Sequence, residues 1–160
     1  MGVTGSGKTT IGRMFAESVG WQYFDADDFH PAANVEKMKR GVPLTDADRK
    51  PWLLRLRELI SQCIEKNENA AIACSALKAS YRKLLSIDES VEIVYLKGAP
   101  DLIRQRLHSR TGHYMNPDLL DSQFQTLEEP EDALTIDVGL TPAQIIARIK
   151  DHLRIENSTP

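Results

Sequence analysis

The sequence holds only two cysteines, has no long apolar run and shows no excess of positive charge, and each shortage removes a class of function. Cys63 and Cys74 lack metal-type spacing and are too few for a disulfide scaffold. They read as buried thiols in a reducing compartment, which places the protein in the cytoplasm. Apolar stretches such as "AAIAC" at 70–74 fall far short of the ~20 residues a membrane span needs, so no membrane is expected as a partner. With 20 Lys and Arg against 23 Asp and Glu the net charge is −3, which gives nucleic acid no electrostatic footprint. No cleavable signal is visible. At 160 residues the chain suits one core rather than two, and without repeats or long linkers it reads as a single domain, 1–160, with a frayed tail from about 155.

What is present is concentrated at the start. "MGVTGSGKTTIGRM" sets Gly2 and Gly7 around four residues and follows them with Lys8 and Thr9, the phosphate-loop pattern. Glycines at 2, 5 and 7 let the backbone turn so that N–H groups converge on phosphate oxygens at a helix N-terminus. Residues Gly2, Val3, Thr4, Gly5, Ser6, Gly7, Lys8, Thr9 and Thr10 are therefore expected to bind ATP. Lys8 supplies charge to the β and γ phosphates, and the Thr9 hydroxyl is a ligand for Mg²⁺. An ordinary Gly/Ser turn is the plain alternative, but the fixed spacing and the helical pattern through Ile11, Met14, Phe15 and Val19 disfavour it.

Only Met1 precedes the loop, whereas a phosphate loop leaves the end of a buried, central parallel strand. Losing about five buried apolar residues at ~1.5–3 kcal/mol each removes ~7–15 kcal/mol, as much as the net stability of a typical domain. The expectation is that the sequence starts too late and that residues 1–160 do not melt cooperatively on their own.

Along the chain, helical periodicity alternates with short apolar runs. Strands are predicted at "WQYFD", "AAIAC", "VEIVYLKG" and "LTIDV". Helices are predicted over 8–19, from Pro51 through "PWLLRLRELISQCIEK", over "KASYRKLLS" and "PDLIRQRLHSR", and over "TPAQIIARIKDHL" with Thr141 as its cap. Residues 26–50 read as a polar, turn-rich stretch. This alternation predicts an α/β fold of three layers, a parallel sheet with helices on both faces, of the phosphate-loop NTPase and nucleoside-monophosphate-kinase kind, its first strand missing.

The loop does not separate a switch from a motor or a kinase. The guanine-reading Asn-Lys-x-Asp and the Asp-x-x-Gly of GTP switches are both absent. The third strand ends "IACSA", with no carboxylate of the kind motor ATPases use for Mg²⁺. The acids must come from "DADD", as in small-molecule kinases. Asp25 and Asp27 stand two apart and share a face if extended. Asp27 is assigned to orienting the acceptor hydroxyl and taking its proton, Asp25 to Mg²⁺ through water. A turn cap is the competing reading of either. In the segment 104–125, read as a mobile lid, Arg106 and Arg110 lie one helical turn apart and are assigned to developing phosphoryl charge, against the alternative of a solvated basic face.

"GVTGSGKTTIG", "DADDFHP", "PLTDADRKPWL", "CSALKASYR", "GHYM" and "QFQTLEEP", in that order, resemble the gluconokinase family of phosphate-loop kinases from Gly2 to about Pro130, and more weakly beyond. The resemblance implies transfer of the ATP γ-phosphoryl to the 6-hydroxyl of D-gluconate by a cytosolic, Mg²⁺-dependent homodimer. The missing first strand is its one clear departure. A polyol with one carboxylate needs cations and hydroxyl partners. Arg49, Ser75, Lys78 and Arg82 are candidates, with Arg49 and Arg82 favoured because a planar guanidinium grips a carboxylate twice. Surface solvation is the bland reading, above all for lysines. His30, before Pro31, is a candidate hydroxyl contact. Gln123 and Glu128 read equally as lid return or as surface helix. A kinase for another acid, resembling shikimate kinase, and a non-catalytic ATP-binding module are the rival functions.

Overall fold

A computed structural model of the protein describes residues 1–109 and 117–155. Its first helix, α1 (Lys8–Val19), leaves Gly7 at φ 94° and stops on Gly20 at φ 70°. Both values lie in the left-handed region, where any side chain other than glycine is strained. Four short strands follow: β1 (Gln22–Asp25), β2 (Ala70–Ala73), β3 (Val94–Lys97) and β4 (Leu134–Asp137). β1 pairs with β2 and β3 with β4, both in parallel, with Asp25 opposite Ala73 and Lys97 opposite Asp137. All four strands thus end at one edge, which in open parallel sheets is where ligands bind.

The two strand pairs meet through the first two residues. Leu96 N–H donates to Met1 O at 3.0 Å and Gly2 N–H donates to Ser75 O at 3.2 Å. The Met1 backbone therefore sits between β2 and β3, at the central place expected for the strand that feeds the loop. A cavity of about 590 Å³ lies beside it, lined by apolar side chains from both pairs and from helices on either face, among them Ile11, Phe15, Leu56, Ile72 and Val94.

Side chains along β2 alternate between two cores. Ala71 packs with Ile11 and Phe15 of α1 and with Ile145 and Ile149 of α7 (Pro142–Leu153), while Ile72 and Cys74 pack with Trp52, Leu56 and Tyr81 on the opposite face. That period of two makes a sheet covered on both sides. The second face is built by α3 (Asp46–Glu65) and α4 (Ala79–Leu85). Burial pushes the Cys74 thiol up to about 11, whereas Cys63 is only half-buried.

Residues 26–50 are more ordered than a turn-rich stretch. They hold a 3₁₀ turn over Ala26–Phe29, the helix α2 (Ala32–Lys39) and the first turn of α3. Helix α3 begins five residues before Pro51, because Thr45 and Asp48 form a reciprocal cap at its N-terminus. Pro51 stands inside the helix, not in its first turn. Helix α2 escaped the periodicity because it buries only Asn34. Two more helices, α5 (Pro100–Ser109) and α6 (Pro117–Thr126), flank residues 110–116, which lie outside the described residues. Thr141 caps α7 as expected, with Gln144 completing the box.

Candidate active site

The opening loop is held from three directions. Ser6 N–H donates to Val3 O at 3.3 Å, closing the turn on itself. Leu107 and Ile103 of α5 press against Gly5, where an added Cβ meets Leu107 at 3.0 Å. From α6, the Gln123 side chain accepts from Thr4 N–H at 2.7 Å. Gln123 is thus a loop-holding residue, and no local signal announces it, because its partner lies 119 positions away. Glu128 accepts from Ala79 N–H at 2.6 Å and ties the same segment to the start of α4. Ser6 Oγ is buried without a partner, and a buried hydroxyl of this kind calls for an acceptor. A phosphate oxygen suits it.

Lys8 Nζ donates to Val3 O at 2.9 Å. Burial lowers its pKa, and the nearby charges of Asp27 and Asp25 oppose the shift. Thr9 Oγ1 donates to Asp25 Oδ2 at 3.1 Å, so the hydroxyl and the carboxylate meet at the mouth of the loop. Asp25 also accepts from Tyr23 Oη at 3.1 Å and from Asp27 N–H at 3.2 Å. It is a turn cap and a loop partner together. Asp25 and Asp27 do not share a face along an extended strand: Asp25 ends β1, and Asp27 is in the 3₁₀ turn that Asp25 caps. Both charges act on Lys8. Thr10 is exposed on the first turn of α1.

Asp27 keeps 82% of its side-chain surface reachable by solvent. Surrounding protein nevertheless thins its hydration, and this, followed by the Asp25 charge, raises its pKa above the ordinary carboxylate value while Lys8 pulls the other way. His30 Nε2 stands 4.0 Å from Asp27. Its ring stacks on Trp52 with centroids 4.4 Å apart, and Trp52 Nε1 in turn donates to Ala26 O at 2.6 Å. Burial, then the Arg49 charge, lowers the His30 pKa, so the ring is neutral at pH 7.

Beyond His30 the candidate acceptor residues divide. Arg49 Nη1 donates to Tyr81 Oη at 3.4 Å. Lys78 is clamped on Asp46, with Nζ at 2.8 and 2.7 Å from its two oxygens. Arg82 is buried, and its Nη1 donates to Ala76 O and Leu77 O at 3.0 Å each, which holds the turn after β2. Ser75 is half-buried in that turn, and its carbonyl receives Gly2. Arg106 Nη2 donates to Val138 O at 2.6 Å, past the end of β4. Arg110 lies outside the described residues. Asp46 and Tyr81, which join Arg49 to Lys78, were not foreseen.

The oxygen pair of Thr9 and Asp25 is a donor set of the kind Mg²⁺ favours. Among the described residues no group of three or more His, Cys, Asp or Glu side chains gathers that could hold a metal ion.

Similarity to known proteins fits this geometry. The shikimate kinase family matches residues 4–153. A probable gluconokinase of Mus musculus is 39% identical, over 96% of this chain and 95% of its own length. The thermosensitive gluconokinase of Escherichia coli strain K12 is 43% identical, over 87% of this chain and 77% of its own. The crystal structure of a gluconokinase from Sinorhizobium meliloti 1021 superimposes with a TM-score of 0.84 at 38% identity, covering 96% of this chain and 93% of that one. Its fold, its loop and these relatives together place the chain in the shikimate kinase family of phosphate-loop kinases, within the gluconokinase branch.

Proposed function

We propose that the protein transfers the γ-phosphoryl group of ATP to the 6-hydroxyl of D-gluconate, yielding 6-phospho-D-gluconate and ADP. One observation carries the reading: Asp25 receives the Thr9 hydroxyl of the loop at 3.1 Å and the Asp27 N–H at 3.2 Å, so the acids of the 3₁₀ turn stand against the glycine turn. Similarity to gluconokinases on three sides supports the choice of acid.

Amides of the glycine turn and of the start of α1 that are not spent within the protein, those of Gly5, Gly7, Lys8 and Thr9, hold the triphosphate, with Ser6 Oγ offered to one of its oxygens. Lys8 and Arg106 balance charge on the transferring group. Asp27 accepts the proton of the 6-hydroxyl as the O6–P bond forms and the bond from Pγ to its bridging oxygen breaks, leaving on ADP. A carboxylate whose pKa is raised is a stronger base than an ordinary one, which suits that task. Thr9 and Asp25 would hold Mg²⁺, which when bound supplies further neutralisation of phosphate charge. His30 meets an acceptor hydroxyl, Arg49 its carboxylate, and Ser75, Lys78 and Arg82 shape the pocket wall.

The chain acts as one kinase domain with the segment 104–125 as its lid; Arg110 in that segment lies outside the described residues. We place it in the cytoplasm as a homodimer. The free thiols support the compartment, and no helix among the described residues is long and apolar enough to cross a membrane. The test is ADP release with ATP, Mg²⁺ and a panel of D-gluconate, shikimate and D-glucitol, with the oligomer read by light scattering. Acceptor-dependent ADP with gluconate alone is the expected outcome. ADP with shikimate instead moves the chain to the other branch, and nucleotide binding without turnover makes it a binding module.

A further inference from the structure

Arg49 stands at the end of a hydrogen-bond relay. Tyr81 has one phenolic proton, and it donates that proton to Asp46 Oδ1. Its lone pairs are left facing Arg49 Nη1, which donates to them at 3.4 Å. Burial raises the Tyr81 pKa, with the Asp46 hydrogen bond second, so the phenol keeps its proton at neutral pH. Tyr81 is itself fixed, buried in the core with Trp52 and Leu56. The direction of the relay is therefore set from Asp46 inward, and Arg49 is received rather than repelled.

Charge around the relay is compensated except at its end. Both Asp46 oxygens are taken by Lys78, and Arg49 approaches Asp46 only to 3.9 Å. Lys37 pairs with Asp48 at 2.7 Å. Nη1 of Arg82 is committed to carbonyls. Among these four cations, Arg49 alone has no carboxylate or carbonyl recorded against it within hydrogen-bond distance. It is a partly exposed guanidinium with donors to spare, held by one of them.

We propose that Asp46 and Tyr81 are positioning residues that set the preference for an acidic acceptor, by holding the Arg49 fork so that it takes the acceptor carboxylate with two parallel bonds. The inference rests on the reading of the acceptor as D-gluconate. Asp46 and Tyr81 touch no substrate themselves. Their effect is specific to the acid, because a neutral polyol of the same length has nothing for the fork to grip.

The experiment uses the full chain with ATP and Mg²⁺, and compares the KM for D-gluconate with the inhibition constant of D-glucitol, the polyol that carries CH₂OH in place of the carboxylate. Tyr81→Phe removes the relay and keeps the ring. The expected result is a KM for gluconate raised roughly tenfold, the worth of one charge-assisted hydrogen bond. The kcat, the KM for ATP and the glucitol constant should stay within about twofold, since none of them involves that bond. Asp46→Asn, at an exposed site that threatens the core less, should move the same constant in the same direction. Unchanged KM for gluconate in both variants overturns the inference. So does a parallel loss against glucitol or ATP, which would mark a merely structural role. A wild-type chain inactive on gluconate overturns the functional reading as well, and shows itself before any variant is made.

Discussion

The two ends of the cleft are made of different material. At the phosphate end the contacts to be offered are backbone N–H groups, set by glycine conformations and steadied by Gln123 and α5. At the proposed acceptor end they are side chains, drawn from the turn before α2 and from α3 and α4, and held by one another: His30 by Trp52, Arg49 by Tyr81, Tyr81 by Asp46. Backbone recognition suits a triphosphate, which every kinase of this fold shares. Side-chain recognition suits an acceptor that differs from one branch to the next. Asp27 lies where the two meet, and its carboxylate is under the influence of both.

Breaking the junction is expected to have the largest effect. Asp27→Asn should lower kcat by about 10²–10⁴-fold, the usual worth of a general base, while ATP still binds. The pH profile checks the same residue. Because the folded pKa is raised, the acid limb of kcat/KM should lie above the ordinary carboxylate value of 3.8 and should vanish in Asp27→Asn. Unchanged turnover removes Asp27 from the chemistry.

Next comes the backbone end. Gly7 holds φ 94° with open space around an added Cβ, whose nearest neighbour is 3.9 Å away. Gly7→Ala therefore costs conformation rather than contact, about 1–2 kcal/mol. Nucleotide affinity should fall by roughly tenfold, with the KM for gluconate little changed. Equal loss in both constants would erase the distinction between the ends.

The acceptor end sharpens when its two arginines are separated. Arg49→Lys should raise the KM for gluconate and leave the melting temperature alone. Arg82→Lys should do the reverse, costing about 1–3 kcal/mol of stability through carbonyls left without donors. Melting curves beside Michaelis constants decide between them. The smallest effect belongs to the α3 cap. Lys37 and then Thr45 draw the Asp48 pKa down to about 2. A depressed carboxylate stabilises the fold above its unfolded pKa and loses that contribution as protons bind. Stability should therefore drop between about pH 4 and pH 2, and Asp48→Asn should flatten that slope in acid melts.

Several elements were legible because their signals are local. The phosphate loop, α1, the strands and the Thr141 cap all follow from spacing over a few residues. Other features were not. The early start of α3 was hidden behind Pro51, whose reading as a first-turn residue overlooked the Thr45 and Asp48 box. The tie from Gln123 to Thr4 crosses 119 residues, and no periodicity reaches that far. Among the cations, composition made Lys78, Arg49 and Arg82 look alike. Burial and partners separate them.

The sequence by itself determined a glycine turn able to grip phosphate, acids placed at and just after the end of the first predicted strand, and the alternation that commits the chain to a covered parallel sheet. These are properties of backbone conformation and of period. The tertiary structure alone decided which charges are left over: it set Lys78 on Asp46, turned Arg82 inward to two carbonyls, and left Arg49 with a phenol as its hydrogen-bond partner. The reason is physical. A charge is free or spent only in relation to partners brought beside it by folding, and those partners lie on other helices.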